Sequence, residues 1–123
     1  MTLVTGQPIV IADLVANPAP FFSIETGTGT TYSLTTVANQ KVVVFVSGQV
    51  TGASTGITAT LSLKYNGVTK HTTVAGVIAS GDASPFALQY SEIPGAGTQN
   101  ITVTTSAGTL SNVSIIVLKL LVG

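Results

Sequence analysis

Chemistry at neutral pH needs a titratable or nucleophilic group, and this sequence holds few. His71 is the only histidine among 123 residues, and there is no cysteine. The carboxylates are Asp13, Glu25, Asp82 and Glu92, and the cations are Lys41, Lys64, Lys70 and Lys119, with no arginine. A Ser62–His71 pair is the one nucleophile–base combination that hairpin spacing would place side by side. It would still need an orienting acid and oxyanion donors, and no acid lies near it in the chain. His71 is therefore read as a structural histidine on a solvent-facing strand surface. One histidine, no thiolate and four scattered carboxylates give no pair with metal-ligand spacing, so no metal and no cofactor is expected. Gly27-Thr28-Gly29-Thr30 and Gly95-Ala96-Gly97-Thr98 have phosphate-loop composition. Such loops work by opening a helix N-terminus, whereas both of these precede strand patterns. No catalytic residue is assigned, and the chain is read as a non-enzymatic structural or binding domain.

The elements that would position these side chains are strands. Ile57-Thr58-Ala59-Thr60-Leu61-Ser62-Leu63-Lys64-Tyr65 alternates apolar and polar with period 2, the pattern of a strand with one wet face. It runs into Asn66-Gly67, the strongest short hairpin signal, because both turn positions need positive φ. With a two-residue turn, the return strand Val68 to Val74 sets Tyr65 opposite Val68, Leu61 opposite Thr72 and Ser62 opposite His71. Further strands are expected at Pro8–Val15, Phe21–Glu25, Thr31–Val37, Val74–Ala79, Pro85–Tyr90 and Gln99–Thr105, separated by Gly- and Ser-rich turns. Eight to ten short strands with regular turns indicate an all-β sandwich or barrel, and two antiparallel sheets packed face to face are expected. Asn17-Pro18-Ala19-Pro20 cannot lie in a central strand, since proline donates no ladder bond. It divides an N-terminal arm, residues 1–17, from a sandwich domain, residues 18–123.

Two segments depart from alternation. Lys41 to Val46 (KVVVFV) and Ser114 to Val122 (SIIVLKLLV) are apolar on both faces. With no helices to cover a second face, the explanation is that one face meets the domain's own core and the other a neighbouring subunit. This assigns Ile116, Leu118, Leu120, Val122, Val43 and Phe45 to a subunit interface. Lys119, on the opposite side of its strand from Leu118, is expected to snorkel to the rim of the interface or to pair with a carboxylate of a neighbouring subunit. In the arm, Ile9, Ile11 and Leu14 are assigned to anchoring on a neighbouring subunit or on a surface the protein decorates.

Composition agrees with an assembled protein. Charged residues are 7% against about 25% in ordinary soluble proteins, and the formal net charge is zero. Such a surface invites association. It offers no electrostatic footprint for nucleic acid or an anionic membrane, and no segment approaches the roughly 20 apolar residues of a spanning helix. The N-terminus carries no basic residue before its apolar run and so lacks the form of a secretory signal.

The order of the C-terminal elements is a hairpin (ITATLSLKYNGVTKHTTV), a strand carrying Phe86, Leu88 and Tyr90, a Pro-Gly loop, the strand QNITVTTSAG and the closing strand SNVSIIVLKLLV. This order, over about residues 30–123, resembles the trimeric jelly-roll modules (C1q- and tumour-necrosis-factor-like) of phage virion proteins such as head decoration and tail-fibre tip proteins. The resemblance implies a virion location, a homotrimer with the closing strand near its three-fold axis, and capsid or tail proteins as partners. A second reading is a carbohydrate-binding or adhesion module for a cell-surface glycan, with Tyr65 and Tyr90 as stacking platforms.

Overall fold

The computed structural model describes residues 22–52 and 56–122. Among them are eight strands and no helix: β1 (Phe22–Thr28), β2 (Thr31–Thr36), β3 (Gln40–Thr51), β4 (Ile57–Tyr65), β5 (Val68–Ile78), β6 (Ala83–Glu92), β7 (Gly97–Thr105) and β8 (Thr109–Leu121). They form two antiparallel four-stranded sheets, β1-β8-β3-β6 and β2-β7-β4-β5. The pairs β1:β8, β2:β7, β3:β6 and β4:β5 are those of one long antiparallel ribbon wound over itself, which is the jelly roll expected from the sequence. The core between the sheets is almost wholly aliphatic. Val42, Val44, Val46, Ile115 and Val117 of the first sheet meet Leu61, Leu63, Ile101 and Val103 of the second, each no more than 2% exposed.

The Asn66-Gly67 turn forms with φ of 51° and 82°, both positive, as a two-residue hairpin of this hand demands. A chain of polar bonds fixes its tip. Asn66 Nδ2 donates to Gln99 Oε1 (2.8 Å), Gln99 Nε2 donates to Thr36 Oγ1 (3.1 Å), and the Asn100 amide donates to Asn66 Oδ1 (2.8 Å). Gln99 and Thr36 are buried, so these bonds satisfy groups that water cannot reach.

Three details differ from the sequence expectation. The segments Val68–Val74 and Val74–Ala79 are one continuous strand, β5. β3 runs on to Thr51, and β8 begins at Thr109, with Asn112 (φ 52°) in an irregularity opposite Gly48. The hairpin register also slips. Tyr65 faces Val68 and Lys64 faces Thr69, but Leu63 then faces His71, Ser62 faces Thr72 and Leu61 faces Thr73. Lys70 is the extra residue of a bulge, and the one-residue slip carries His71 to the opposite face from Ser62. The proposed arm, with Ile9, Ile11 and Leu14, lies outside the described residues, as does the boundary at residues 17 and 18.

Candidate subunit interface

The pairing registers sort every strand residue of the first sheet onto one of two faces. Ile115 and Val117 turn inward, each 0% exposed. Ile116, Leu118 and Leu120 turn outward, and across the ladder Phe45 faces Ile116 while Val43 faces Leu118. On the other side β1 sets Phe22 opposite Leu120 and Ile24 opposite Leu118. Five of the six residues assigned from sequence therefore share one surface. The sixth, Val122, follows the end of β8 at 46% exposed. Phe22 and Ile24 were not singled out from the sequence. The signal was present in the alternation of Phe22, Ile24 and Thr26 with Ser23 and Glu25.

This surface is apolar and open. Phe22 is 40% exposed, Ile24 56%, Phe45 40% and Ile116 39%. For side chains of about 175 Å² each, these four leave about 300 Å² of apolar area in water, with Val43, Leu118 and Leu120 half-buried between them. Lys41 at the rim is the one charged strand residue on this face among the described residues. The surface is also shaped. A depression of about 410 Å³ lies beside Phe45 and Ile116, bounded by Ala87, Gln89 and His71. A second, of about 340 Å³, lies on the other side of Phe45 against Val43 and Ser91.

The outer face of the other sheet has opposite chemistry. Thr31 faces Thr102, Ser33 faces Asn100, Thr35 faces Thr98, and Ser62 stands between Thr104 and Thr72. Lys64 and Val74 are the interruptions in a field of hydroxyls. Sandwiches solvated on both outer faces alternate apolar-in and polar-out in both sheets. Here only β2-β7-β4-β5 does so.

Most polar groups at the sandwich rims pair with one another, while the buried Tyr65 hydroxyl has no hydrogen-bond partner among the described residues. Lys119 points inward from β8, where Glu25 of β1 takes its ammonium and the Thr35 carbonyl accepts a further bond (3.1 Å). Lys119, expected to reach a neighbouring subunit's carboxylate or the rim, instead pairs with Glu25 of the same chain, which the β1:β8 pairing brings to the adjacent strand. Tyr32 also donates to Glu25 (2.8 Å). Burial raises the Glu25 pKa, but the bonds from Lys119 and Tyr32 outweigh it, and the carboxyl stays below its ordinary value. At the opposite edge the rings of Tyr65 and Tyr90 pack tilted at 5.6 Å, and Lys70 sits 5.4 Å from the Tyr90 ring centre. Tyr65 is 2% exposed and offers no ring face to a sugar, because the Asn66–Gln99 bonds draw the hairpin tip against β7. Tyr90, half-buried, donates to Glu92, and that bond, with burial, pushes its pKa up to about 12.

His71 is half-buried at the seam between the sheets, where its Nδ1 accepts the Gln89 amide of β6 (3.0 Å). Its proton therefore sits on Nε2, and the bulge separates it from Ser62. Among the described residues no group of three His, Asp or Glu side chains could hold a metal ion. No helix there is long and apolar enough to cross a membrane. No protein-family model matches the chain, and no curated protein is significantly similar to it.

Proposed function

We propose that this chain is a virion structural protein, a capsid-decoration or tail-fibre-like module, which acts by assembling as a homotrimer through the outer face of the β1-β8-β3-β6 sheet. The observation that carries the assembly reading is the contrast between the two outer faces. One sheet turns hydroxyls to solvent, and the other turns Phe22, Ile24, Phe45 and Ile116. Three such faces meeting around an axis would bury up to about 900 Å² of apolar area. At about 25 cal/mol per Å² this contributes on the order of 20 kcal/mol, against two association costs of about 4–15 kcal/mol each. The virion context rests on the order of the C-terminal strands, with the Thr/Val alternation of β7 followed by the apolar β8.

Light scattering on the intact protein tests the assembly: a trimer at micromolar concentration is expected, and a folded monomer there would end the proposal. Immunogold labelling of particles from the same source tests the location, with label on the particle surface as the expected result. Binding on a glycan array that is lost in Tyr90→Ala would favour the glycan reading instead.

A further inference from the structure

The sandwich has four strand edges, and three of them are guarded. In β6, the Gln89 amide points away from β3 and is taken by His71. Period 2 then puts Pro85, which has no N–H, at an equivalent edge-facing position of the same strand. β5, whose edge carries that His71, lies alongside β6. At β2, Lys119 reaches across from the other sheet to the Thr35 carbonyl. These are the devices by which sheets avoid adding strands: proline, a capping side chain, a lysine, a covering neighbour.

Among the described residues β1 has none of them. Phe22–Thr28 contains no proline and no lysine, and its one charged side chain, Glu25, turns inward to Lys119. It pairs with β8 on one side only, and no hydrogen bond from another described residue reaches its outer edge. Its outward side chains Phe22 and Ile24 are among the most exposed apolar residues of the molecule. An open, apolar edge of this kind is a template for another strand.

The sequence offers a segment of fitting composition outside the described residues. Pro8-Ile9-Val10-Ile11-Ala12-Asp13-Leu14-Val15 is rich in β-branched and apolar residues, with Asp13 as its one charge on the side of Ile9 and Ile11, and its proline stands first, where a strand tolerates one. Between it and β1 lies Asn17-Pro18-Ala19-Pro20. Each proline fixes its own φ, and each preceding residue is driven to extended backbone. Alternating prolines therefore favour a rod of about 3.1 Å per residue over the tight reversal that a hairpin onto the chain's own β1 requires.

We propose that the free edge of β1 receives residues 8–15 of a second copy of this chain, so that the β1-β8-β3-β6 sheet becomes five-stranded by strand exchange. Ile9 and Ile11 would then extend the apolar face formed by Phe22 and Ile24. This rests on the assembly reading only in requiring a second copy at hand.

Because the chain has no cysteine, disulfide trapping is unambiguous. Full-length chains carrying Ile9→Cys or Ile11→Cys are mixed with chains carrying Ile24→Cys or Thr26→Cys under mild oxidation, alongside each variant alone and chains that carry one cysteine of each pair together. The expected product of at least one mixture is a reducible species of twice the chain mass that neither variant forms alone. If a disulfide forms only when both cysteines are in one chain, at monomer mass, the arm docks on its own β1 and the exchange is overturned. If no pairing forms a disulfide while light scattering still shows an oligomer, the β1 edge is not the docking place, and the assembly reading stands without it. A monomer with no disulfide overturns both.

Discussion

Replacing Ile24 with threonine separates association from folding. Ile24 lies on the outer face of β1 and is 56% exposed, so somewhat less than half of its burial is already realised in the single chain. Fully burying an isoleucine stabilises by about 1.5–3 kcal/mol, and the part still available to an interface is therefore about 1–1.5 kcal/mol. Threonine keeps the β-branch and one methyl, so the strand preference survives. It adds a hydroxyl, which costs a further 1–3 kcal/mol or so if buried without a partner. The sum is about 2–4 kcal/mol per copy in the assembled state, roughly a 30- to 1,000-fold weaker association constant per contact. In the dissociated chain the same change removes little, and stability should move by less than about 1 kcal/mol. Sedimentation equilibrium measures the first quantity, and urea unfolding at a concentration below dissociation measures the second. Ile115→Thr is the control one residue from Ile116: at 0% exposed it should cost the fold itself about 2–4 kcal/mol. An Ile24→Thr chain that assembles as tightly as the original would refute the assignment of this face. So would one that unfolds as readily as Ile115→Thr.

Three further outcomes follow from the polar and backbone details. Asn66→Ala loses two side-chain bonds and puts a Cβ-strained residue at φ 51°, and should lower unfolding stability by about 2–3 kcal/mol; Asn66→Gly, free of the strain, should lose about half of that in urea titrations. Gly52→Ala sets a Cβ 2.4 Å from the Ala79 carbonyl and should destabilise by about 1–3 kcal/mol, whereas Gly76→Ala meets open space and should be neutral or slightly stabilising by thermal melts. All three tyrosines hold their protons more tightly in the fold: Tyr32 through its bond to Glu25, Tyr65 through burial, and Tyr90, at about 12, through its bond to Glu92. A raised folded value means stability that is intact below the ordinary tyrosine value near 10 and lost as pH climbs through about 12. Ultraviolet titration should therefore show phenolate appearing together with loss of the β circular-dichroism signal. Free titration near 10 with the fold intact would contradict these contacts.

What could be read from the chain was what local pattern determines. The hairpin at Asn66-Gly67, the two-sided apolarity of β3 and β8, and the division into short antiparallel strands all depend on residues adjacent in sequence. The bulge at Lys70 does not. Alternation in Val68–Val74 is too weak to fix register, and the slip is set by what the two sides gain: Lys70 over the Tyr90 ring, and His71 on the Gln89 amide. Tyr65 was misplaced for a related reason. A residue beside a turn reads as a rim, but β7 lies along the tip of this hairpin, and that neighbour comes from a distant part of the chain. The fate of Lys119 likewise depended on Glu25, which the winding of the ribbon brings to the adjacent strand.

That last point bears on the interface. As a sequence, SIIVLKLLV contains its own objection, since a strand carrying a lysine is a poor candidate for a buried contact. The objection holds only if the lysine shares the outward face. In the fold Lys119 alternates inward, is neutralised by Glu25 and caps an edge carbonyl of β2. The outward row of β8 is then Ile116, Leu118 and Leu120 without interruption, and the neighbouring rows of β1 and β3 add Phe22, Ile24, Val43 and Phe45. The same pairing that removes a charge from the outer face also ties β1 and β2 together at the end of the sandwich where β1 begins, the strand whose outer edge no described residue covers. Lys119→Met should therefore not strengthen association. It leaves Glu25 half-buried with the Tyr32 bond but no cation, and it loosens β1, so both fold stability and assembly should fall together. Parallel urea and sedimentation measurements on Lys119→Met and on the double change with Glu25→Gln decide the point: the double change should recover part of the stability and of the assembly. If Lys119→Met assembles more tightly than the original chain, the lysine faces the partner and the sorting of β8 into two faces is wrong.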